Sequence, residues 1–336
     1  MTTGATRRMF LSGSTSLLGL GLSGCIPDVM AVGPLARTSV TPPGYDPELL
    51  AVTTRRPVKG GLKNPWFGPE RAEQPSVARV VFNRPDTGLV GQAQSALYGN
   101  WTIKSVTPEA RPLAEVVTDE VGQREVLLYV HGYKETFESA VAGGIELAEG
   151  IGFSGKRMAF SWPSKATLLD YGYDRESALI SRDALEELLL KLLGEGGASR
   201  LHIVAHSMGT MLTIEALRQM WARHGDVYGA RIGAIVLASP DIDFDLFENA
   251  MRRLRSLSGK ITVISSTSDR ALEVSRRIAG GVTRVGAASR EQLEGLGIKV
   301  VDASDYGGWA MVKHDLFLTD SDVRAVVRRA VERGRA

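Results

Sequence analysis

The strongest constraint on the fold is a regular alternation of short apolar runs with stretches of helical periodicity from residue 125 onward. The runs are rich in Val, Ile, Leu and Ala, which is typical of strands buried on both faces. Such strands form parallel sheets with helices on each side, and ligands bind there at the carboxyl ends of the strands. The predicted strands are 125–130, 157–161, 200–205, 232–238, 261–265 and 298–302. The alternation predicts an α/β fold with a mostly parallel sheet.

The segments around these strands complete the predicted domain. Apolar residues recur at helical spacing in 178–193, 208–222 and 244–257. Asp320 or Ser321 can cap a last helix that runs to about Glu332. Upstream, 77–83 and 97–106 have the pattern of two strands with a turn-rich connection, so we expect the sheet to begin with an antiparallel pair.

The first 25 residues have the organisation of an export signal. Arg7 and Arg8 precede a weakly apolar run over 10–22 that is too short and too polar for a good membrane span. Residues 22–25, Leu-Ser-Gly-Cys, resemble the lipobox of bacterial lipoproteins, whose cysteine takes the lipid. We expect export by the twin-arginine machinery to the periplasmic side of the envelope and lipid anchoring to a membrane through Cys25. The alternative is a chance arginine pair before a short core helix.

Residues 26–76 hold more than half of the chain's 14 prolines. Because proline interrupts helices and central strands, we expect a tether and an irregular lead-in rather than a part of the core. The predicted organisation is therefore a signal over 1–25, a proline-rich segment over 26–76 and one folded domain over 77–336.

Charge and cysteine content exclude several classes of function. The chain has 40 Lys and Arg against 38 Asp and Glu, a formal charge of +2. Arg7 and Arg8 are the only charged residues among the first 25, so the remainder balances at 40 − 2 = 38 against 38. This balance argues against nucleic acid as a partner. One cysteine cannot form a cysteine-based zinc site or an internal disulfide, and we expect neither a metal nor a cofactor.

A candidate nucleophile follows the strand at 200–205. Residues 205–209 read Ala-His-Ser-Met-Gly, with a predicted strand before them and a predicted helix after them. This is the pattern of a nucleophile elbow, in which small residues flank a strained serine, here with Ala205 in the place of the first glycine. The turn would place the Ser207 hydroxyl above the sheet at a helix N-terminus, whose dipole favours developing negative charge. The alternative is a serine that only caps the helix.

The catalytic base is predicted from the positions of the histidines. Behind a nucleophile elbow the chain order is serine, acid, histidine, and only His224 and His314 follow Ser207. His224 lies about four turns along the helix that begins at the nucleophile, where a surface role is expected. His314 follows the last predicted strand across a short loop and is the predicted base.

Several carboxylates could orient that base. Asp269, just beyond the strand at 261–265, is the predicted acid. Asp241 and Asp243, beyond the preceding strand, are competitors, with helix capping and loop hydrogen bonding as their alternative roles. Asp302 and Asp305 lie nearer to His314 in sequence, but the first ends a strand and the second lies in a tight loop.

Two backbone N–H groups are predicted to form an oxyanion hole. One belongs to Met208, directly after the nucleophile, and the other to the loop after the strand at 125–130. That loop is His131-Gly132-Tyr133. Gly132 lets the backbone approach the substrate, so Tyr133 is the expected second donor. His131 is expected to organise the loop, and His206 to pack beneath the elbow.

Aromatic residues over 161–181 are candidates for the wall of a substrate pocket. Trp162, Tyr171 and Tyr173 could line an acyl or aromatic site, and Trp162 and Tyr173 are the predicted substrate contacts. The alternative is that these rings pack a helix onto the sheet.

Residues 77–318 resemble the alpha/beta hydrolase superfamily, and more narrowly a bacterial group of esterase- and lipase-like hydrolases of mostly unassigned activity. The resemblance implies an eight-stranded hydrolase sheet, a Ser207, Asp269, His314 triad, and Tyr133 and Met208 as oxyanion donors. It is carried by 130–133 (VHGY), 160–164 (FSWPS), 173–178 (YDRESA), 205–210 (AHSMGT), 268–272 (SDRAL) and 314–315 (HD).

Three functions remain open on the sequence. The first is an exported serine hydrolase that cleaves a small-molecule or lipid ester through an acyl-enzyme on Ser207. The second is an acyltransferase with the same machinery but an alcohol or amine acceptor. The third is a catalytically silent, envelope-anchored binding module.

Overall fold

The computed structural model describes residues 44, 46–58, 65–85, 101–165, 170–265, 283–304 and 315–335. Nine strands in this part of the chain form one sheet: β1 (Glu48–Pro57), β2 (Phe67–Asn83), β3 (Thr102–Glu109), β4 (Glu125–Val130), β5 (Lys156–Ser161), β6 (Arg200–His206), β7 (Ile232–Ala238), β8 (Ile261–Ser265) and β9 (Lys299–Asp302). Their order across the sheet is β3-β2-β1-β5-β4-β6-β7-β8-β9.

The sheet is mostly parallel, as the apolar runs predict. The pairs β1–β2 and β2–β3 are antiparallel, and every pair from β1–β5 to β8–β9 is parallel. The predicted antiparallel start is thereby confirmed. The strand count implied by the family resemblance is wrong by one, since the described residues contribute nine strands rather than eight.

The described helices cover both faces of this sheet, and most of them follow a strand. They are α1 (Leu113–Val121), α2 (Phe137–Gly150), α3 (Tyr171–Ile180), α4 (Arg182–Leu193), α5 (Met208–His224), α6 (Phe244–Arg253), α7 (Arg290–Gly295), α8 (Leu316–Thr319) and α9 (Ser321–Arg333). Asp320 caps α9 as predicted, because its carboxylate accepts from the backbone N–H groups of Asp322 and Val323. In the described residues, no helix combines the length and the apolar character needed to cross a membrane.

The side chains of the sheet pack into three hydrophobic clusters, and alternate side chains of one strand enter different clusters. In β4, Val126, Leu128 and Val130 pack in the core beneath α4 and α5. Leu127 and Tyr129 point to the opposite core, which α9 covers. Both faces of the central strands are therefore shielded from water, which is why their sequences are continuous apolar runs.

The expectation of an irregular lead-in over residues 26–76 is wrong for its second half. β1 lies between β2 and β5 and pairs with both, and its Leu50 and Val52 are fully buried. The physical reason is local, since residues 48–56 contain no proline and Pro57 falls at the last position of the strand. Proline content over a long segment therefore concealed one short proline-free strand.

Two predicted helices are shorter or divided in the structure. The pattern over 178–193 belongs to α3 and α4, which meet at Ser181. The Ser181 hydroxyl lies 2.8 Å from the Thr54 hydroxyl of β1, and this buried contact holds the junction against the sheet. The pattern over 244–257 ends as α6 at Arg253, and a 3₁₀ helix, Arg255–Lys260, leads into β8.

Candidate active site

Ser207 occupies a strained turn between β6 and α5. Its φ is +48°, a left-handed conformation that a residue with a side chain rarely adopts. Hydrogen bonds stabilise this backbone conformation. The Ser207 N–H donates to the Ala238 carbonyl at 2.9 Å. Its own carbonyl accepts from the Thr210 N–H at 3.0 Å and the Thr210 hydroxyl at 2.6 Å. This is the backbone geometry of a nucleophile elbow.

The small residues beside the serine are required by the neighbouring strand. A Cβ on Gly209 would lie 2.2 Å from the His131 carbonyl oxygen and 2.8 Å from that of Val130. Ala205 is fully buried and stands opposite Val130 in the β4–β6 register. The helix α5 therefore begins directly against the end of β4, and only a glycine at 209 fits there.

The loop after β4 lies against the serine side chain. A Cβ on Gly132 would come within 2.9 Å of the Ser207 Cβ and 2.7 Å of the His206 Nδ1. The backbone at Gly132 therefore reaches Ser207 without an intervening side chain. Met208 follows Ser207 in the chain as the first residue of α5, and Tyr133 follows Gly132. Their backbone N–H groups as oxyanion donors stay a prediction.

His131 anchors this loop to Trp162. The two rings stack with centroids 4.8 Å apart and planes 6° apart, and the Trp162 indole N–H donates to the His131 carbonyl at 2.9 Å. The Trp162 backbone N–H donates to His131 Nε2 at 3.0 Å. Burial lowers the pKa of His131 well below its usual range, and nearby Arg55 lowers it further. The predicted organising role of His131 fits these contacts.

The same contacts argue against Trp162 as a substrate contact. Its side chain is fully buried, with one face on the imidazole of His131. The indole packs against the loop that bears His131 and has no exposed surface for a ligand. The prediction that Trp162 contacts substrate is therefore wrong, and its role is packing.

A buried arginine of β1, Arg55, forms hydrogen bonds with the end of the loop that follows β4. The Arg55 guanidinium donates to the Glu135 carbonyl at 2.6 Å, the Ser164 carbonyl at 3.0 Å and the Ser161 hydroxyl at 3.0 Å. Its burial lowers its pKa to about 10, against the attraction of Glu135, Glu138 and Asp174. Arg55 thus ties the end of β5 to the segment that follows Tyr133.

Asp174 of α3 supports the same loop through backbone amides. Its buried carboxylate accepts from the N–H groups of Lys165, at 2.9 Å, and Lys134, and it also accepts the Ser164 hydroxyl. Lys134 has a φ of +67°, a backbone conformation that is unfavourable for a residue with a side chain. The hydrogen bond from its N–H to Asp174 helps to stabilise this conformation. Burial raises the pKa of Asp174 despite these bonds.

A second buried network, on the α6 side of the elbow, joins Asp241, Arg284 and Tyr171. Arg284 Nε lies 3.0 Å from Asp241 Oδ1, and both side chains are almost fully buried. The Tyr171 hydroxyl donates to Asp241 Oδ2 at 3.1 Å and accepts from Arg284 Nη2 at 3.2 Å. The Asp241 N–H donates to the Ser207 carbonyl at 3.2 Å, which connects the network to the nucleophile.

The aromatic candidates Tyr171 and Tyr173 have different surroundings. Tyr171 packs edge-on against Tyr133, with centroids 5.5 Å apart, and so contacts the predicted oxyanion loop. Burial, with the added repulsion of Asp174, raises the pKa of Tyr133 to about 12. Tyr173 is half-buried with Arg71 4.4 Å and Lys165 4.3 Å from its ring centroid, so cations already occupy the ring that was predicted to bind substrate.

His206 packs beneath the elbow as expected, against Phe317 at 4.9 Å between centroids. Its Nε2 also lies 3.3 Å from the carboxylate of Asp315, the residue after the predicted base. Asp269, His314 and the predicted lipidation site Cys25 lie outside the described residues. Nothing in the described part of the chain groups three or more His, Cys, Asp or Glu side chains as a metal site would need.

Two of the competing acids have structural roles. Asp243 caps α6 by accepting from the Leu246 N–H at 2.9 Å, and Asp302 accepts from the Ser304 N–H at 2.9 Å. Asp241 is engaged by Arg284. The exposed His224 ends α5 and packs on Tyr228, 5.9 Å away between centroids.

Sequence reasoning missed the residues that hold the loops. Ser164 and Asp174 lie in segments that carry the family resemblance, 160–164 and 173–178, but no role was assigned to them. Arg55 falls in the segment that the prolines predict to be a lead-in, and Arg284 lies in no motif. Their partners are distant in sequence, and only the folded chain brings them together.

A strained serine between a parallel strand and a helix, with a glycine loop from the neighbouring strand against it, defines an alpha/beta hydrolase. The family described as "Alpha/beta hydrolase of unknown function (DUF900)" matches residues 110–332. The chain belongs to this family.

Other similarities are more distant or shorter. An uncharacterized protein of Nostoc sp., alr1448, is 35% identical over 63 residues, which are 19% of this chain and 16% of that protein. A hyperthermophilic esterase from the archaeon Pyrobaculum calidifontis is 13% identical, with 78% of this chain and 81% of that chain covered and a TM-score of 0.36. Est1E from Butyrivibrio proteoclasticus is 9% identical, with 76% and 96% covered and a TM-score of 0.38.

Proposed function

We propose that this protein is a serine hydrolase that cleaves carboxylic esters through an acyl-enzyme on Ser207. The observation that carries the proposal is the approach of Gly132 to Ser207, where a single added Cβ would lie 2.9 Å from the serine Cβ. A close approach of this kind supports acyl transfer at Ser207, because it leaves room for backbone N–H groups of two elements to act on one oxyanion.

The proposed reaction has two halves. The Ser207 hydroxyl attacks the ester carbonyl while His314, oriented by Asp269, takes its proton. The N–H groups of Met208 and Tyr133 stabilise the oxyanion, with support from the N-terminal dipole of α5. The proton passes from His314 to the departing alcohol, leaving an ester between Ser207 and the acyl group. Water, deprotonated by His314, then releases the acid and restores the serine.

The test compares wild type with Ser207→Ala and with the control Ser258→Ala. Ser258 is a serine remote from the site, in the 3₁₀ helix before β8. A fluorophosphonate probe is expected to label wild type and the Ser258 variant but not the Ser207 variant. Hydrolysis of p-nitrophenyl esters of graded acyl length should follow the same pattern. Equal labelling of the Ser207 variant would leave the silent binding module as the better function.

An acyltransferase is the second candidate, because it would use the same machinery. The two differ in which nucleophile resolves the acyl-enzyme, so product analysis with a competing alcohol separates them. A rise in transfer product at the expense of free acid, saturating with the alcohol, would favour the transferase.

We also propose that the enzyme is exported and lipid-anchored, with Arg7 and Arg8 read by the twin-arginine machinery and Cys25 as the lipid site. Cys25→Ser is expected to release the protein from the membrane fraction and to abolish incorporation of a labelled fatty acid. Replacing both arginines with lysine should retain the protein in the cytoplasm. Membrane attachment that survives Cys25→Ser would contradict the anchor.

A further inference from the structure

A basic pocket lies at the amino-terminal edge of the sheet, opposite the edge that carries Ser207. Its volume is about 270 Å³. Arg200 opens β6, Lys260 immediately precedes β8, Lys299 opens β9, and Arg333 ends α9, so four elements each bring one cation. Because β6 has seven residues, about 20 Å of strand separate Arg200 from the nucleophile. The pocket is thus distinct from the proposed active site.

Two glycines form the base of this pocket. A Cβ on Gly334, after α9, would lie 2.5 Å from the backbone of Gly233 in β7, and a Cβ on Gly233 would lie 2.4 Å from the ring of His202. The end of α9 therefore rests directly on the sheet. Any side chain at either position would displace the packing that shapes the cavity floor.

Among the described residues, none of the four cations forms an ion pair with a carboxylate within 4.0 Å. Ion pairs between described residues involve many other arginines and lysines, but none joins Arg200, Lys260, Lys299 or Arg333 to an acid. The other described residues that line the cavity are Gly, Thr and Ala. In a chain whose total charge is only +2, four cations around one concavity, with no carboxylate among its described lining, are a local excess.

Two of these cations are held in place by backbone carbonyls. Lys260 donates to the carbonyls of Gly229, at 2.8 Å, and Ile232, at 2.6 Å, which leaves one ammonium proton for a ligand. Arg200 makes longer contacts, 3.3 Å and 3.4 Å, to the carbonyls of Ala230 and Arg335. Lys299 and Arg333 are exposed, so their long side chains are free to reorient toward a ligand. The pocket therefore combines two cations held by backbone carbonyls with two mobile ones.

The positive charges also lower the pKa values of neighbouring titratable groups. Burial lowers the pKa of Lys260, and the charge of Arg200 lowers it further, against the attraction of Asp226. Burial also lowers the pKa of His202 to about 4, with Arg335 and Arg200 adding to the effect. The cations that converge here therefore repel one another, and a bound anion would relieve that repulsion.

We propose that this pocket binds a compact oxyanion of the phosphate or diphosphate type. Its volume of about 270 Å³ lies near the lower end of the range of about 300–1,000 Å³ that drug-sized ligands occupy, and four cations line it, which suits a small anion rather than an acyl chain. Lysine and arginine are the side chains that recognise phosphate oxygens through charge-assisted hydrogen bonds. The phosphate could belong to a soluble compound or to a phospholipid headgroup, since both present the same oxygens.

The test uses the full chain with Cys25→Ser, so that no lipid anchor contributes. One arm measures pyrophosphate binding by calorimetry, and the other measures sedimentation with phosphatidylcholine vesicles with and without phosphatidic acid. Lys299→Ala/Arg333→Ala is the pocket variant. Lys191→Ala/Arg329→Ala removes the same charge from exposed positions outside the cavity. Circular dichroism reports that each variant is folded, whatever happens at the pocket or at Ser207.

Saturable pyrophosphate binding that weakens at least tenfold in the pocket variant, but not in the control, is the expected result and indicates a soluble phosphate. Binding to phosphatidic acid vesicles that shows the same loss, and that pyrophosphate displaces, indicates the headgroup. Absence of binding in both arms, or an equal loss in the two variants, would overturn the proposal.

Discussion

His206 and Asp315 face each other across the elbow, with Nε2 of the imidazole 3.3 Å from Oδ1 of the carboxylate. His206 immediately precedes the nucleophile, and Asp315 immediately follows the predicted base, His314. The contact therefore ties the two chain segments that bear these residues. The imidazole is almost fully buried, whereas the carboxylate is 45% exposed, so the histidine forms the fixed side of the pair.

Removing the charge of Asp315 should impair turnover more than binding. Asp315→Asn is expected to lower kcat by about ten- to a hundredfold with little change in KM, because small misplacements of catalytic groups are costly. Steady-state kinetics on a p-nitrophenyl ester measures this, with Asp322→Asn as an exposed control in the first turn of α9. Full turnover in Asp315→Asn would show that the contact does not position the base.

A methyl group at Gly132 should close the site. Gly132→Ala places a Cβ against Ser207 Cβ and His206 Nδ1, which forces the loop or the elbow to move. Fluorophosphonate labelling is expected to slow at least a hundredfold in a variant that remains folded by circular dichroism. Gly172→Ala is the matched control, because nothing lies within 4 Å of its Cβ. Normal labelling of Gly132→Ala would refute the proposed oxyanion loop.

Arg55 should contribute to stability through the bonds of its planar guanidinium. Arg55→Lys keeps the charge buried but cannot reach the carbonyls of Glu135 and Ser164 together, so we expect a loss of about 3 kcal/mol in the free energy of unfolding. Urea denaturation measures it. Arg56→Lys, at the adjacent exposed position, should change stability by less than about 0.5 kcal/mol. Equal stability of the two variants would contradict this role.

Stability and ester turnover, measured together, distinguish the predicted triad acid, Asp269, from Asp241, the acid of the buried ion pair. Asp241→Asn leaves Arg284 buried without its counter-charge and should cost about 3 kcal/mol of stability, while the folded fraction still labels. Asp269→Asn should instead abolish most ester turnover with little loss of stability. The opposite pattern, turnover lost in Asp241→Asn at full stability, would make Asp241 the acid.

Stability should fall on acidification because of His202. The folded protein holds the pKa of His202 at about 4 against an ordinary 6.5, so the unfolded chain gains a proton first as the pH drops. The free energy of unfolding therefore decreases between about pH 6.5 and pH 4, with a limiting slope of about 1.4 kcal/mol per pH unit from this group. His202→Leu should flatten the slope in urea titrations, whereas the exposed-site control His224→Leu should not. An unchanged slope in His202→Leu would exclude His202 as the source.

The sequence predicted the strands of the parallel part closely, because continuous apolar runs reflect burial on both faces. Residues 232–238 and 261–265 coincide with β7 and β8. The elbow was equally accessible, since a strained serine needs small neighbours within two positions. Contacts between segments distant in sequence could not be predicted, because no local pattern pairs Arg55 with Glu135. The same holds for Tyr171 and Arg284.

The error at Trp162 has the same physical origin. An aromatic residue just after a strand end can face a pocket or lie beneath a loop, and hydrophobicity is the same in both cases. The stacking of Trp162 on His131 decides between the two, and it depends on a register between β4 and β5 that single-sequence periodicity does not contain.

The place of β1 in the sheet has a consequence for synthesis of the protein. The hydroxyl of Thr53 donates to the carbonyl of Ser161, 108 residues later. At about 5–20 residues per second, β1 leaves the ribosome roughly 5–20 seconds before its parallel partner β5 is complete. During this interval β1 can pair with β2 alone, and its other edge is open to pairing with a second chain.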